Sequence, residues 1–310
     1  MTMNVRMQVE QPVAIRPAIL YLITVFAAGW TLGLTYWFHG GRWHTPSALV
    51  IVYTYKMIPL CIALLFQLLV YRDGAFRQRL SLRLNPSRWY LAAWLAPLGI
   101  TFAAIGVGLM MPGTSFSPEL EGMAERFFNS SAPAIRRFRM YSETIPLSPL
   151  WSATLFGMSA GVLLNLLWDF GVEAGWRGVL HTQLAAMGFW RSSLFIGVLW
   201  GIWYAPLILQ GHNFPINPGF GVLMMTLCCT LVSPPLVFIK IKTGSMLGPV
   251  LMHSAINGTG MIAVTAIRGG SDLAVGITGV AGIVVLAGVN GLLWIYLRSG
   301  GTLHARSHAT

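Results

Sequence analysis

Residues 150–178 read LWSATLFGMSAGVLLNLLWDFGVEAGWRG. No charged residue occurs between Leu150 and Trp168. Such a run is long enough to cross a bilayer as a helix, which takes about 20 apolar residues. Charges then follow at Asp169, Glu173 and Arg177. With Asn165 they recur at every fourth position, so a helix gathers them into one polar stripe. An ionisable side chain inside the hydrocarbon costs roughly 2.5–3.5 kcal/mol on insertion scales, so such a stripe marks either paired charges or a polar interior.

The same apolar signature recurs along the chain. Segments at about 17–38, 47–71, 89–111, 192–210, 219–239, 245–267 and 273–297 join 150–171, making about eight spans. The 310 residues are 55% hydrophobic and only 9% charged. Soluble domains carry about 25% charged residues, so a water-soluble enzyme is excluded, as is a disordered chain. In lipid every backbone group must be paired within the segment, which selects helices. The alternating ten-residue strands of a membrane barrel are absent. The predicted fold is all-α: a polytopic integral membrane helix bundle, one domain over 1–310, with no internal repeat and no linker. The absence of an inverted repeat argues against a transporter.

The net charge is +11. Its basic residues lie in short loops between apolar runs and form no stripe on a polar face, so no nucleic-acid partner is expected. They read as topology signals and contacts to membrane lipids. With the N-terminus inside, the cytoplasmic side collects Arg6, Arg16, Arg72, Arg77, Arg79, Arg83, Arg88, Arg177, Arg191, Lys240, Lys242, Arg298 and Arg306. The other side collects Arg42, Arg126, Arg136, Arg137, Arg139 and Arg268. This bias predicts a plasma-membrane protein with both termini cytoplasmic. The long outer segment 112–149 mixes apolar residues with four arginines and reads as an interfacial helix or a polar loop. Its Asn129-Ser130-Ser131 sequon carries little weight. The sequence ends in Arg306-Ser307-His308-Ala309-Thr310, so no prenylation box of its own is expected, and no removable signal peptide is read at the other end. Cys61, Cys228 and Cys229 lie inside apolar runs, without a CxxC or Cys/His spacing. Neither a disulfide framework, a metal nor a cofactor is expected.

Three polar or aromatic clusters stand out. In the first, Glu173 precedes Arg177 by four residues, the favourable order for a helical ion pair. The pair either neutralises itself at the end of the fourth span or faces an internal cavity. In the second, His253 and Asn257 share a helix face, and both can donate to one acceptor, the geometry of an oxyanion site. Interhelical packing is the plainer reading of that pair. The third is Trp200-Gly-Ile-Trp203-Tyr204-Ala-Pro206, which by itself reads as core or interface anchors. Glycines four apart at Gly171/Gly175, Gly197/Gly201 and Gly244/Gly248 allow close helix approach.

In this order and spacing the clusters resemble the CAAX-protease and bacteriocin-processing (CPBP, or Abi) family of intramembrane glutamic-type peptidases, which includes Ras-converting endopeptidase. The resemblance covers about 150–260. The first family motif, Glu-Glu-x-x-x-Arg, aligns with Val172-Glu173-Ala-Gly-Trp176-Arg177. The second, an aromatic residue, three others and then His, aligns with Trp200 through Tyr204. The third, His-x-x-x-Asn after Thr-Gly-Ser, aligns with Thr243-Gly244-Ser245 followed by His253 and Asn257. The resemblance implies that the first glutamate and the second-motif histidine activate water. The third-motif His and Asn stabilise the oxyanion, the second glutamate and the arginine hold the frame, and the site opens toward the cytoplasm.

This chain departs from the family at the water-activating positions, which are Val172 and Tyr204. Valine carries no proton, and tyrosine, with a reference pKa near 10, is a poor base at neutrality. Loss of a general base typically costs about 10²–10⁴-fold in rate. Asp169 and Glu173 are candidate substitute acids or bases, and His181 is expected at the cytoplasmic surface. Three readings follow. One is a non-catalytic homologue that binds a hydrophobic or prenylated peptide, a lipid or a membrane-protein partner. The second is an active peptidase with a rearranged base. The third is an enzyme acting on an isoprenoid, with Trp168, Trp176, Trp200, Trp203 and Tyr204 around the substrate and aromatic faces that stabilise cations.

Overall fold

The structure is a computed structural model, and it describes residues 15–43, 45–71, 80–83, 85–127 and 147–303. Its long helices are α1 (Ile15–Phe38), α2 (Pro46–Phe66) and α3 (Trp89–Leu109), followed by the short α4 (Gly122–Phe127). Next, α5 (Pro149–Phe156), α6 (Val162–Glu173) and α7 (His181–Leu184) are joined by the π-helical turns Gly157–Gly161 and Ala174–Leu180. Then come α8 (Phe189–Trp203), α9 (Ala205–Ile208), α10 (Pro218–Thr243), α11 (Leu247–Thr265) and α12 (Val280–Arg298). Strands β1 (Ser115–Phe116) and β2 (Ile267–Arg268) form one antiparallel pair. The molecule is an all-α membrane bundle.

Among the described residues, six helical segments are long and apolar enough to cross a membrane: 16–38, 46–70, 89–109, 149–187, 218–243 and 280–298. The other two expected spans, 192–210 and 245–267, are helical but not among these six. The first is interrupted because Pro206 has no N–H to donate. There the helix tightens, Tyr204 N–H donating to Gly201 O, and the Tyr55 hydroxyl donates to Trp203 O. The second carries the buried His253, Ser254 and Thr259 together with Asn257, which faces a cavity, and these lower its hydropathy. The last span starts at Val280 rather than 273, because Gly269, Gly270 and Gly276 adopt left-handed backbone in the preceding segment. In the outer segment 112–149 only Gly122–Phe127 is helical among the described residues, and the sequon lies outside them.

The expected fourth span is longer than its apolar stretch. Its 39 residues, Pro149–Met187, reach about 58 Å at 1.5 Å per residue, well beyond a hydrocarbon core of about 30 Å. The charged half of this rod is enclosed by protein, with every residue from Gly171 to His181 buried. Two of the glycine pairs explain how. A Cβ on Gly175 would stand 2.3 Å from Pro59 Cβ, and one on Gly171 2.8 Å from Lys56 O, so only glycine lets α2 close onto α6. Gly197 and Gly201 seat α8 on α10 in the same way. Gly244 has a different task, closing α10 with φ 61°. A further pair, Gly157 and Gly161, meets Gly258 of α11 backbone to backbone.

The loops sort to two ends. At one, Met246 N–H donates to Ser81 O and Lys242 Nζ to Thr302 O. This is the terminal end, where α1 begins and α12 finishes. At the far end β1 pairs with β2, Trp43 packs on His212, and Asp272 binds the 216–217 turn.

Candidate functional site

The polar stripe of α6 meets α2 on one side and α11 on the other. Lys56 Nζ donates to Asp169 Oδ1 at 2.7 Å. Asn257 Nδ2 donates to both Asp169 oxygens, at 2.9 and 3.0 Å. One turn further, Arg177 Nη1 donates to Glu173 Oε1 at 3.0 Å. His253 Nδ1 lies 2.8 Å from the same oxygen, and its Nε2 lies 3.8 Å from Asp169 Oδ1. A carboxylate only accepts, so the Nδ1–H donates to Glu173 and Nε2 faces Asp169. The Arg177 guanidinium stacks 4.4 Å above the Trp200 ring, whose plane meets the His253 ring edge-on at 5.2 Å. The side chains of Asp169, Glu173 and Arg177 are wholly buried. Two cations thus balance two carboxylates in a place where an unpaired charge is strongly disfavoured.

This cluster lies beneath a cavity of about 860 Å³, with Asp169, Glu173 and Arg177 enclosed behind its lining, and that volume is within the size range of small-molecule sites. Lys56, Asn165, Trp200, Tyr204, His253 and Asn257 lie on its lining at the floor. Its walls are apolar: Leu49 and Val52 of α2, Met225 and Val232 of α10, Ile256 and Met261 of α11. Its mouth carries Trp43, His212, Asn213 and Asp272. An aromatic file connects floor to mouth, with Tyr204 stacked on His212 at 6.3 Å and His212 against Trp43 at 5.0 Å. The rim is fastened by Asp272, which accepts from Ile216 N at 2.9 Å, Asn217 N at 3.1 Å and Asn217 Nδ2 at 2.6 Å.

The structure brings together Asp169, Glu173, Arg177, His253 and Asn257, the five residues singled out from sequence for chemistry. Of the five aromatics, Trp200 and Tyr204 line the cavity. The other three stand off its wall. Trp176 and Trp203 are wholly buried with rings 5.8 Å apart, and Trp168 stacks on Tyr53 at 4.6 Å. Val172 is wholly buried and is not on the lining. His181, expected at the surface, is buried 3.5 Å from Lys240 Nζ. Lys56 was missed as a site residue. Its signal was available: a lone cation in the middle of an apolar span requires a partner.

The mouth lies at the far end of the bundle, opposite the termini, because its residues belong to the 39–45, 209–217 and 266–279 segments. A cytoplasmic mouth and cytoplasmic termini therefore exclude each other.

Residues 149–259 match the model of a protein family described as Type II CAAX prenyl endopeptidase Rce1-like. This agrees with the CPBP resemblance carried by the three motifs. No curated protein matches the chain.

Proposed function

We propose that this chain, a membrane protein with an Rce1-like CAAX-protease core, is a non-hydrolytic member that holds an apolar ligand in its cavity. One observation carries the reading: the Asp169 carboxylate accepts from Asn257 Nδ2 through both its oxygens and lies 3.8 Å from His253 Nε2, so it stands between the two oxyanion candidates. An oxyanion site stabilises negative charge that develops during reaction. Here that place is taken by a permanent carboxylate, itself held by Lys56. No water-activating pair stands opposite, since positions 172 and 204 carry valine and tyrosine. Paired with Lys56, Asp169 has no proton to give, which also disfavours acid-initiated isoprenoid chemistry.

A second reading rests on the Glu173–His253 contact. A carboxylate holding Nδ1–H leaves Nε2 as the base, the arrangement by which an acid orients a catalytic histidine. On that reading the chain is a peptidase whose base is His253.

Cleavage of a farnesylated CAAX peptide and of a membrane-peptide pool in nanodiscs separates the two. The natural chain is expected to be silent. The Val172→Glu/Tyr204→His reversion is expected to gain cleavage, and adding Asp169→Ala is expected to raise it further by clearing the oxyanion site. Cleavage by the natural chain that His253→Ala abolishes, with folding intact, would establish the second reading instead.

A further inference from the structure

The cavity has a direction, and the chain's charges give that direction a meaning. Its lining includes residues of the far-end segments, such as Trp43, His212 and Asp272, and its floor carries Lys56 and Asn257, both held from behind by the enclosed Asp169. Among the described residues the terminal end holds Arg16, Arg83, Arg88, Arg191, Lys240, Lys242 and Arg298, and the far end holds Arg42, Arg126 and Arg268 against Glu119, Glu121, Glu125 and Asp272. Loops rich in Lys and Arg stay cytoplasmic. We infer that the cavity opens to the non-cytoplasmic side, and that its ligand is an amphiphile of that leaflet with an uncharged hydrogen-bonding head seated at the floor. This rests on the binding role proposed above and names its ligand class.

The head group follows from what the floor leaves over. Lys56 has three N–H donors and uses one on Asp169 among the described residues. Asn257 spends its amide N–H groups on Asp169, while its Oδ1 has no donor among the described residues. A donor beside an acceptor matches a hydroxyl or carboxamide, which both accepts and donates. The charge that faces the cavity at the floor is Lys56, already neutralised by the enclosed Asp169 behind it, so a charged head of either sign finds no unpaired counter-charge there. The apolar chain follows from the walls. Leu49 of α2 and Met261 of α11 line the cavity and are both more than half exposed. The cavity therefore has a face toward the bilayer as well as a mouth. The outer halves of these two helices are bridged at the floor through Asp169 and lie on either side of that face. A molecule already in the leaflet can slide in without leaving lipid.

Two measurements test this on the full chain. First, Ile216→Cys at the mouth and Ser299→Cys at the terminal end are treated with a membrane-impermeant maleimide on intact cells and after permeabilisation, each read against the parent's own cysteines. Ile216→Cys is expected to label on intact cells and Ser299→Cys only after permeabilisation. The reverse pattern overturns the sidedness and leaves the binding role standing. Second, a diazirine-bearing long-chain alcohol is photo-crosslinked in nanodiscs, beside the same chain ending in a carboxylate or an amine. The alcohol is expected to label peptides of α2 and α11, with the label falling at least fivefold in Val52→Trp or Met261→Trp, which fill the cavity. Stronger cavity labelling by the carboxylate or amine overturns the head-group assignment. Absence of cavity labelling by all three probes overturns the binding role itself.

Discussion

The cavity floor and the far-end cap both contain ion pairs, built in opposite ways. At the floor, Lys56 and Asp169 meet at 2.7 Å with the carboxylate wholly enclosed, and Asn257 caps its remaining oxygen. At the cap, Arg268 reaches Glu121 and Glu125 while its own side chain stays 36% exposed. Nearby, Arg126 donates to four carbonyls, of Val264, Ile267, Gly269 and Gly270. At the floor Asp169 cannot reach solvent and Lys56 barely does, so the two are interdependent. At the cap Arg268 and Glu125 both reach solvent, so their contact contributes little by itself, while Glu121 is buried. The difference teaches that pairing within a bundle measures constraint, and that burial decides how much of it appears as free energy.

The largest effect is expected from breaking the floor on one side only. Lys56→Met strands Asp169 without its cation, and loss of one partner of a buried pair typically costs about 3–5 kcal/mol. Replacing both, Lys56→Met/Asp169→Leu, removes the stranded charge and should recover most of that loss. Denaturant titration in micelles checks both variants. A single variant as stable as the double would mean that Asp169 is neutral, and the floor would then resemble the cap.

A smaller effect should follow from the helix approach that assembles the floor. Gly175→Val would drive a side chain into Pro59 and Tyr21, whose hydroxyl donates to Pro59 O at 2.9 Å. Overpacking of this kind costs typically 1–3 kcal/mol. Because Pro59 lies three residues from Lys56, displacement of α2 should also weaken any cavity photolabel. Gly99→Ala is the control. Nothing lies within 4 Å of a Cβ there, and helix propensity alone should favour it by roughly 0.5–1 kcal/mol.

These two positions show how far the sequence could be read. The spacing of Asn165, Asp169, Glu173 and Arg177 was visible because helical periodicity is local, and so was the pairing of Glu173 with Arg177. The His253–Asn257 face was visible for the same reason, as were the two glycine pairs that seat helices. Lys56 was not placed, because its partner is distant in the chain and only the α2–α6 crossing joins them. The direction of the cavity was hidden too. It depends on which helix ends splay, and hydropathy counts apolar residues without saying where they separate. The aromatic set was over-read. Trp168, Trp176 and Trp203 have the composition of a pocket lining, but packing places two of them in the core and one against Tyr53.

The smallest effect is expected at the cap, where it sharpens the comparison most. Glu125→Ala removes one contact of Arg268 in a pair whose side chains are both about a third exposed, and such pairs contribute about 0–1 kcal/mol. What it does contribute should depend on salt, because the Debye length shrinks from about 10 Å at 0.1 M to 3 Å at 1 M. The stability difference between Glu125→Ala and the natural chain should therefore shrink toward zero across that range. The Lys56→Met deficit should stay constant, since no ions penetrate a floor where Asp169 is sealed between α2, α6 and α11. Measured as paired denaturant titrations at the two salt concentrations, equal sensitivity at both sites would mean that water and ions reach Asp169 through the mouth. The floor would then be a solvated basin, and the argument for an uncharged head group would lose its basis.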